Sequence, residues 1–379
     1  MLIKNQGINI RNLLASFLIL ILVMALHSCQ DKNFSTIHID LDEQHSQPSV
    51  VIEQVIFLES NDDALIGDIH KVRYHNGKYY VMDLLVSKNL FLFDSLGGFL
   101  SSLQRGRGPG EIEHFNEFFI DKANDLVFVY DYPSIIHVYD LYLNFLYSEI
   151  HEDLRIRSAE LLNSDTLIIN WPTNSDNLEL YSLYVLSEKK YLTSFMHINE
   201  NLALMGNIFP ISIYNDRILL SKTFDNFLYT INLDDPIEYL EPRKEYYFDF
   251  GRLTITKQDI SAGFTPTFDK SNKGERIVAF YSIAENSNFI SFSFTFYRNV
   301  NFMIYSKATG KYYYSAALFD AGLLPVCRLN NALSQNRFLA FAQPDEVIQF
   351  QNADSTFLVS EEVSVFDNPC LIVFSLVEN

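Results

Sequence analysis

Three features of this amino-acid sequence predict an all-β chain. Aromatic residues make up 15% of it, with 22 Tyr and 32 Phe against 14 Gly, and aromatic side chains suit pleated, half-buried surfaces. A strand-turn-strand pattern recurs, with residues 78–103 (KYYVMDLLVSKNLFLFDSLGGFLSSL) matched by residues 126–150 (LVFVYDYPSIIHVYDLYLNFLYSEI). A glycine-rich turn, Arg105-Gly106-Arg107-Gly108-Pro109-Gly110, separates the copies. Asp83 aligns with Asp131, 48 residues on, and Asp94 with Asp140, 46 residues on. Each unit reads as a strand ending in Asp, a short turn, a strand ending in aromatic-Asp, a second turn and an outer strand. The alternation of apolar and polar residues within the unit is read as half-buried strands. One such sheet cannot bury both faces, and radial stacking of several solves that problem while leaving only short edges. The expected fold is a six-bladed β-propeller with four-stranded antiparallel blades.

Along the chain, residues 1–28 form a targeting segment and stand outside the fold. Lys4 and Arg11 supply its positive start, and the 14 residues Leu13 to Leu26, apolar except for Ser16, are short for a membrane span. Residues 29–50 read as a polar tether holding one strand near Ser35–Leu41, expected to pair into the last blade and close the ring. The propeller is expected over 51–379. Weaker copies of the repeat fall at 165–170 with 181–195, at 216–233, and at 288–296 with 301–320. The last of these is a hairpin turning at Ala308-Thr309-Gly310. Residues 337–350 and 364–379 supply further strands. Loops at 196–210 and 251–275 take up the length beyond an ordinary propeller repeat.

The net charge is −19. The leader holds two basic and no acidic residues, so its removal takes the charge to −21. Such a surface repels nucleic acid and anionic lipid, so no nucleic-acid partner is expected. Cys327 and Cys370 permit a disulfide in an exported chain, or serve as two buried thiols; both readings stand. No CxxC or Cys/His metal spacing, nucleophile elbow, Walker loop or dinucleotide fingerprint occurs, and no metal or cofactor is expected.

In the glycine-rich turn, Gly106, Gly108 and Gly110 allow conformations closed to other residues. Arg105 and Arg107 form a positive spot suited to a carboxylate, sulfate or uronic acid, or brace the blade junction against Glu111 or Glu113. Asp83, Asp94, Asp131 and Asp140 recur once per unit, which fits acceptors for turn amides better than a calcium or acid–base set. His114 follows the turn and is a candidate channel residue. Trp171 ends a predicted strand and is a candidate sugar-stacking platform, although most aromatics must fill the inter-blade core.

Leu26-His27-Ser28-Cys29 resembles the bacterial lipobox, with His27 a departure from its usual small or aliphatic residue. The resemblance implies cleavage before Cys29 and diacylglycerol on its thiol. The segment from Gly106 to Asp140 resembles an NHL-type propeller repeat: Gly106, Gly108, Gly110, Glu111, Asp131 and Asp140 match, while Ile112 replaces the usual aromatic. The wider layout resembles the six-bladed β-propeller lipoproteins of Bacteroides-type bacteria. Its marks are the lipobox, Leu58-Glu59-Ser60, the strand at 65–72, the RGRGPGE turn and the segment Lys244 to Gly251. That resemblance implies a lipid-anchored place in the cell envelope, at the outer membrane, with no defined reaction, and a monomer is expected. The function expected is a non-catalytic binding module for a glycan, a peptide or an envelope protein. The alternative is a lactonase-, lyase- or glycosidase-like propeller with acids converging at the channel mouth.

Overall fold

The computed structural model describes residues 34–43, 48–171, 178–202, 210–237, 240–315, 328–334, 336–353 and 363–378. Six antiparallel sheets form the propeller. Blade 1 runs Lys71–His75, Lys78–Asp83, Asn89–Asp94 and Phe99–Ser102. Blade 2 runs Phe115–Asp121, Leu126–Asp131, Ile135–Asp140 and Phe145–Ile150. Blade 3 runs Ser158–Asn163, Thr166–Asn170, Glu179–Val185 and Lys190–His197. Blade 4 runs Ile211–Tyr214, Arg217–Ser221, Phe227–Asn232 and Arg243–Asp249. Blade 5 runs Tyr281–Glu285, Phe289–Phe296, Asn299–Ser306 and Tyr312–Ser315. Blade 6 joins Arg328–Ser334, Arg337–Ala342 and Cys370–Val377 to Ser49–Phe57 from the other end of the chain. Asp83 and Asp131 therefore end the second strands of neighbouring blades, as the repeat requires.

Ring closure departs from the expectation. The closing strand is Ser49–Phe57, paired with Cys370–Val377 from Ser49 opposite Val377 to Phe57 opposite Cys370. The earlier strand, Ser35–His38, instead adds a fifth, outermost strand to blade 4. Blade 4 accepts it because its outer strand leaves an edge unpaired, and Ile37 and Ile39 are buried with Phe248 and Phe250 there. The second strands are also not half-buried alternations. Every residue of Lys78–Asp83 and of Leu126–Asp131 after the first is buried, because both faces of a middle strand stack on neighbouring blades.

Two stretches read as loop or strand are helical. Lys257–Ala262 and Phe264–Asn272 lie between blades 4 and 5, and Pro344–Ala353 follows the second strand of blade 6 where a strand to residue 350 was expected. The first helix starts at a capping box: Thr256 accepts from the Asp259 amide, and Asp259 accepts from the Thr256 amide. Asp259 is buried and also binds Lys270 and, at 2.7 Å, Arg276.

Aromatic side chains fill the spaces between blades. Phe248 of blade 4, Phe280 and Phe292 of blade 5 meet with ring centroids 4.3–5.6 Å apart. Buried tyrosines tie one blade to the next through their hydroxyls. Tyr80 donates to the Leu141 carbonyl at 2.8 Å, Tyr130 to that of Leu154 at 2.9 Å, and Tyr181 to that of Ser221 at 2.5 Å. Each such bond lets a large apolar ring be buried without stranding its polar tip.

Candidate functional site

The strand order gives the ring two distinct faces. Connections between second and third strands, and between blades, gather on one of them, here called the loop face. Turns between first and second strands gather on the other, the turn face.

On the loop face, residues 103–114 link blades 1 and 2. Gln104–Arg105 pairs in parallel with Glu111–Ile112. Gly106 and Gly110 have φ of +155° and +76°, and Gly110 lies against Phe145 so closely that a Cβ would fall 2.4 Å from the ring. Glu111 accepts from the Gly108 amide at 2.8 Å. Asp131 accepts from the amides of Glu113 and His114 at 3.1 and 2.5 Å. In blade 1, Asp83 accepts from Gly67 at 2.8 Å, Val86 at 2.9 Å and Ser87 at 3.1 Å. Burial alone would raise both carboxyls, yet these amides, with His137 beside Asp131, hold them below the usual carboxylate range. Asp94 and Asp140 do the same work in the turns after the third strands, accepting from Leu96 and Gly98 and from Tyr142 and Asn144.

Arg105 donates to the carbonyls of Ser87 at 3.2 Å and Glu113 at 3.5 Å, and no carboxylate among the described residues pairs with it. Arg107 reaches Glu113 at 2.9 Å through Nε. His114 is exposed, with Nε2 3.9 Å from the same carboxylate, so it sits on the loop face beside the arginines. Trp171 lies apart, in blade 3, half-buried and tilted on Tyr191 at 4.8 Å. Its Nε1 has no partner among the described residues. Cys29 and Cys327 lie outside the described residues, and Cys370 is a buried thiol that burial pushes well above its usual pKa.

The loops of this face expose large apolar side chains among charged ones such as Asp62, Asp63, Lys88 and Asp367. Leu65, Leu85, Val86, Tyr132 and Phe366 are each more than half exposed. Hydrogen bonds run through this rim from blade 6 to blade 2. Asn368 binds the Ile66 amide and the Glu59 carbonyl, Asp83 gathers the loops at 67 and 86–87, Arg105 joins Ser87 to Glu113, and the Tyr132 amide donates to the His114 carbonyl. The exposed side chains are thus carried on braced backbone.

The channel, where the first strands of the blades converge, holds charges that the sequence reading missed. Lys71 is 1% exposed and donates to Glu117 at 2.9 Å and to the carbonyls of Phe118 and Ala159 at 3.1 and 3.2 Å. Glu160 of blade 3 lies 3.4 Å from Lys71 and also binds Arg73. Burial and the neighbouring Arg73 push Lys71 down to about 8 despite Glu117. On the far side, buried Glu285 is held by Lys307 at 3.1 Å and Arg217 at 3.3 Å. The available signal was a charged residue inside an apolar strand, Glu117 in FNEFFID. Its partners come from other blades, where sequence spacing is silent. Among the described residues no three His, Cys, Asp or Glu side chains group as metal ligands.

At the turn-face mouth of the channel a cavity of about 400 Å³ opens between the first strands of blades 1 to 4. Arg73, Lys122 and Glu160 line it together with Ile120, Leu161 and Ile211.

A family model described as "Domain of unknown function (DUF4934)" matches residues 45–375. Among solved structures, the chain is similar to one named as a "putative exported protein" from Bacteroides fragilis NCTC 9343, with a TM-score of 0.74 at 14% identity, covering 91% of this chain and all of that one. This likeness shows the fold. Weaker overlaps, at TM-scores of 0.45 and 0.44, occur with the RRP9 WD40 repeats (10% identity, 87% of this chain and 99% of that one) and with the propeller domain of Cps50 (Swd1) from "Myceliophteria thermophila" (9%, 76% and 96%). No curated protein matches.

Proposed function

The chain belongs to the DUF4934 family, and from that premise we propose that it is an exported, lipid-anchored propeller of the cell envelope that binds a partner through its loop face and carries out no chemistry. The observation that supports a binding role is the rim formed by Leu65, Leu85, Val86, Tyr132 and Phe366 around Arg105. Several large apolar side chains exposed on one face are the feature that marks interaction surfaces. Arg105, with no carboxylate partner among the described residues, gives the rim a positive point on a chain of net charge −19. Among the described residues Arg107 pairs with the partly exposed Glu113 alone, a pair worth little and easily exchanged. The partner this chemistry fits is a protein segment presenting apolar side chains beside a carboxylate.

The anchor in this proposal is Cys29, with residues 1–28 removed on export. Several acyl chains, each worth about 0.8 kcal/mol per buried CH₂, hold a domain firmly at a membrane. Cys29→Ala should abolish incorporation of a labelled fatty acid and release the domain from membranes; unchanged labelling would remove the anchor from the proposal. The docking face is tested by a photo-crosslinking residue at Leu85, with one at Asn76 on the turn face as the control. A single adduct from Leu85 only, lost when Arg105→Ala and Arg107→Ala are combined, supports it. Equal adducts from both faces, or an adduct indifferent to the arginines, would overturn it.

A further inference from the structure

We propose that the cavity at the turn-face mouth of the channel is a binding site for a small amphiphilic anion, a carboxylate carried on an apolar body. This site lies on the face opposite the rim, and its occupancy stands or falls separately from the docking described above.

Four blades build the cavity. Arg73 comes from blade 1, Ile120 and Lys122 from blade 2, Leu161 from blade 3, and Ile211 and Ile213 from blade 4. Its volume of about 400 Å³ lies within the range of small-molecule sites, which are apolar in the main with a few placed polar groups. The isoleucine and leucine side chains supply the apolar wall.

The charged side chains at the mouth are already engaged by neighbours, with one exception. Asp121 accepts from the Ala123 amide at 3.0 Å, the Asn124 amide at 3.2 Å, Asn124 Nδ2 at 2.7 Å and Ser164 Oγ at 3.2 Å. Asn163 Oδ1 accepts from the amides of Asp165 and Thr166, both at 2.9 Å. Glu160 is shared by Arg73 and Lys71. Lys122 is the exception: among the described residues no carboxylate pairs with it, although it lines the same mouth. Lys122 is an exposed residue at the turn, yet desolvation, and then the charge of Arg73, lower its pKa. Lys122 and Arg73 face this space beside the carboxylates of Asp121 and Glu160, and Lys122 is the cation there whose charge no carboxylate among the described residues meets directly. A carboxylate set between Lys122 and Arg73 gains charge-assisted hydrogen bonds, offsets their repulsion and leaves its apolar body against Ile120, Ile211 and Ile213. An uncharged molecule of the same shape gains only the last of these.

The test is a titration of the full chain, its Ile and Leu methyl groups labelled for NMR, with benzoate and with its uncharged isostere benzamide. Benzoate should shift the Ile120, Ile211 and Ile213 methyl signals saturably, and benzamide should bind about tenfold more weakly, the scale of one lost charge-assisted bond. Lys122→Met, which keeps the aliphatic stem, should reduce benzoate to the level of benzamide, and Lys122→Arg should restore the difference. The methyl spectrum itself reports that each variant is folded. Absence of saturable shifts at these three residues, equal binding of the two probes, or a Lys122→Met variant that still prefers benzoate would each overturn the assignment.

Discussion

Gly110 meets two constraints at once. Its φ of +76° is unfavourable for any side chain, and a Cβ there would fall 2.4 Å from the Phe145 ring. Gly77 has a similar φ of +72° but open space around it. Gly77→Ala should therefore cost about 1 kcal/mol from backbone strain alone, and Gly110→Ala clearly more, as read from urea unfolding midpoints. A buried charge gives the second residue-level prediction. Removing one partner of such a pair strands the other, at about 3 kcal/mol or more. Lys71→Met should destabilise by that amount, and Lys71→Met with Glu117→Gln by less. Lys71 also sets a pH dependence. Its folded pKa of about 8 lies below the ordinary 10.5, so between those values the unfolded chain binds more protons and stability should rise with pH. Tyrosines such as Tyr130, raised by burial to about 12, act oppositely, stabilising below about pH 10 and losing that contribution as pH rises further. The difference in unfolding free energy between wild type and Lys71→Met, measured from pH 7 to 10, isolates the lysine. A flat difference would show that Lys71 stays charged across this range, as a solvated lysine does.

Among the elements, the strands of blades 1 and 2 were legible because their aspartates do one local task each, and a local task leaves a regular spacing. The two helices between blades 4 and 5 were not. Their start depends on Thr256 and Asp259, a short signal lying inside a stretch with no strong periodicity. What fixes it is tertiary: Asp259 binds Lys270 of the next helix and Arg276 beyond it. Although burial opposes ionisation, those partners and Thr256 hold its carboxyl well below the usual range. A depressed carboxyl stabilises above its unfolded pKa of about 3.9 and loses that contribution as pH falls below it. Asp259→Ala should then cost about 3 kcal/mol at pH 7 and markedly less at pH 3, by denaturant unfolding. The channel charges and the turn-face cavity were invisible for a related reason. Lys71, Glu117 and Glu160 come from three blades, and no spacing along one chain encodes which blades face each other.

At the scale of the whole molecule, the ring is held shut by Ser49–Phe57, whereas Ser35–His38 only lengthens blade 4. Deleting residues 49–57 should abolish cooperative thermal unfolding, while replacing 35–38 with Gly and Ser should lower the midpoint and leave one transition. Fold class was readable from the repeat because every blade solves the same burial problem. The closing strand was not, since it lies about 270 residues from the rest of its blade and is defined by what it meets at the other end. That meeting has a consequence in time. Ser49 faces Val377, so the first strand of the ring waits for the last one to be synthesised. A nascent chain arrested before residue 370 should be digested throughout by protease, whereas the completed chain resists. Until its final strand emerges, the ring stays open.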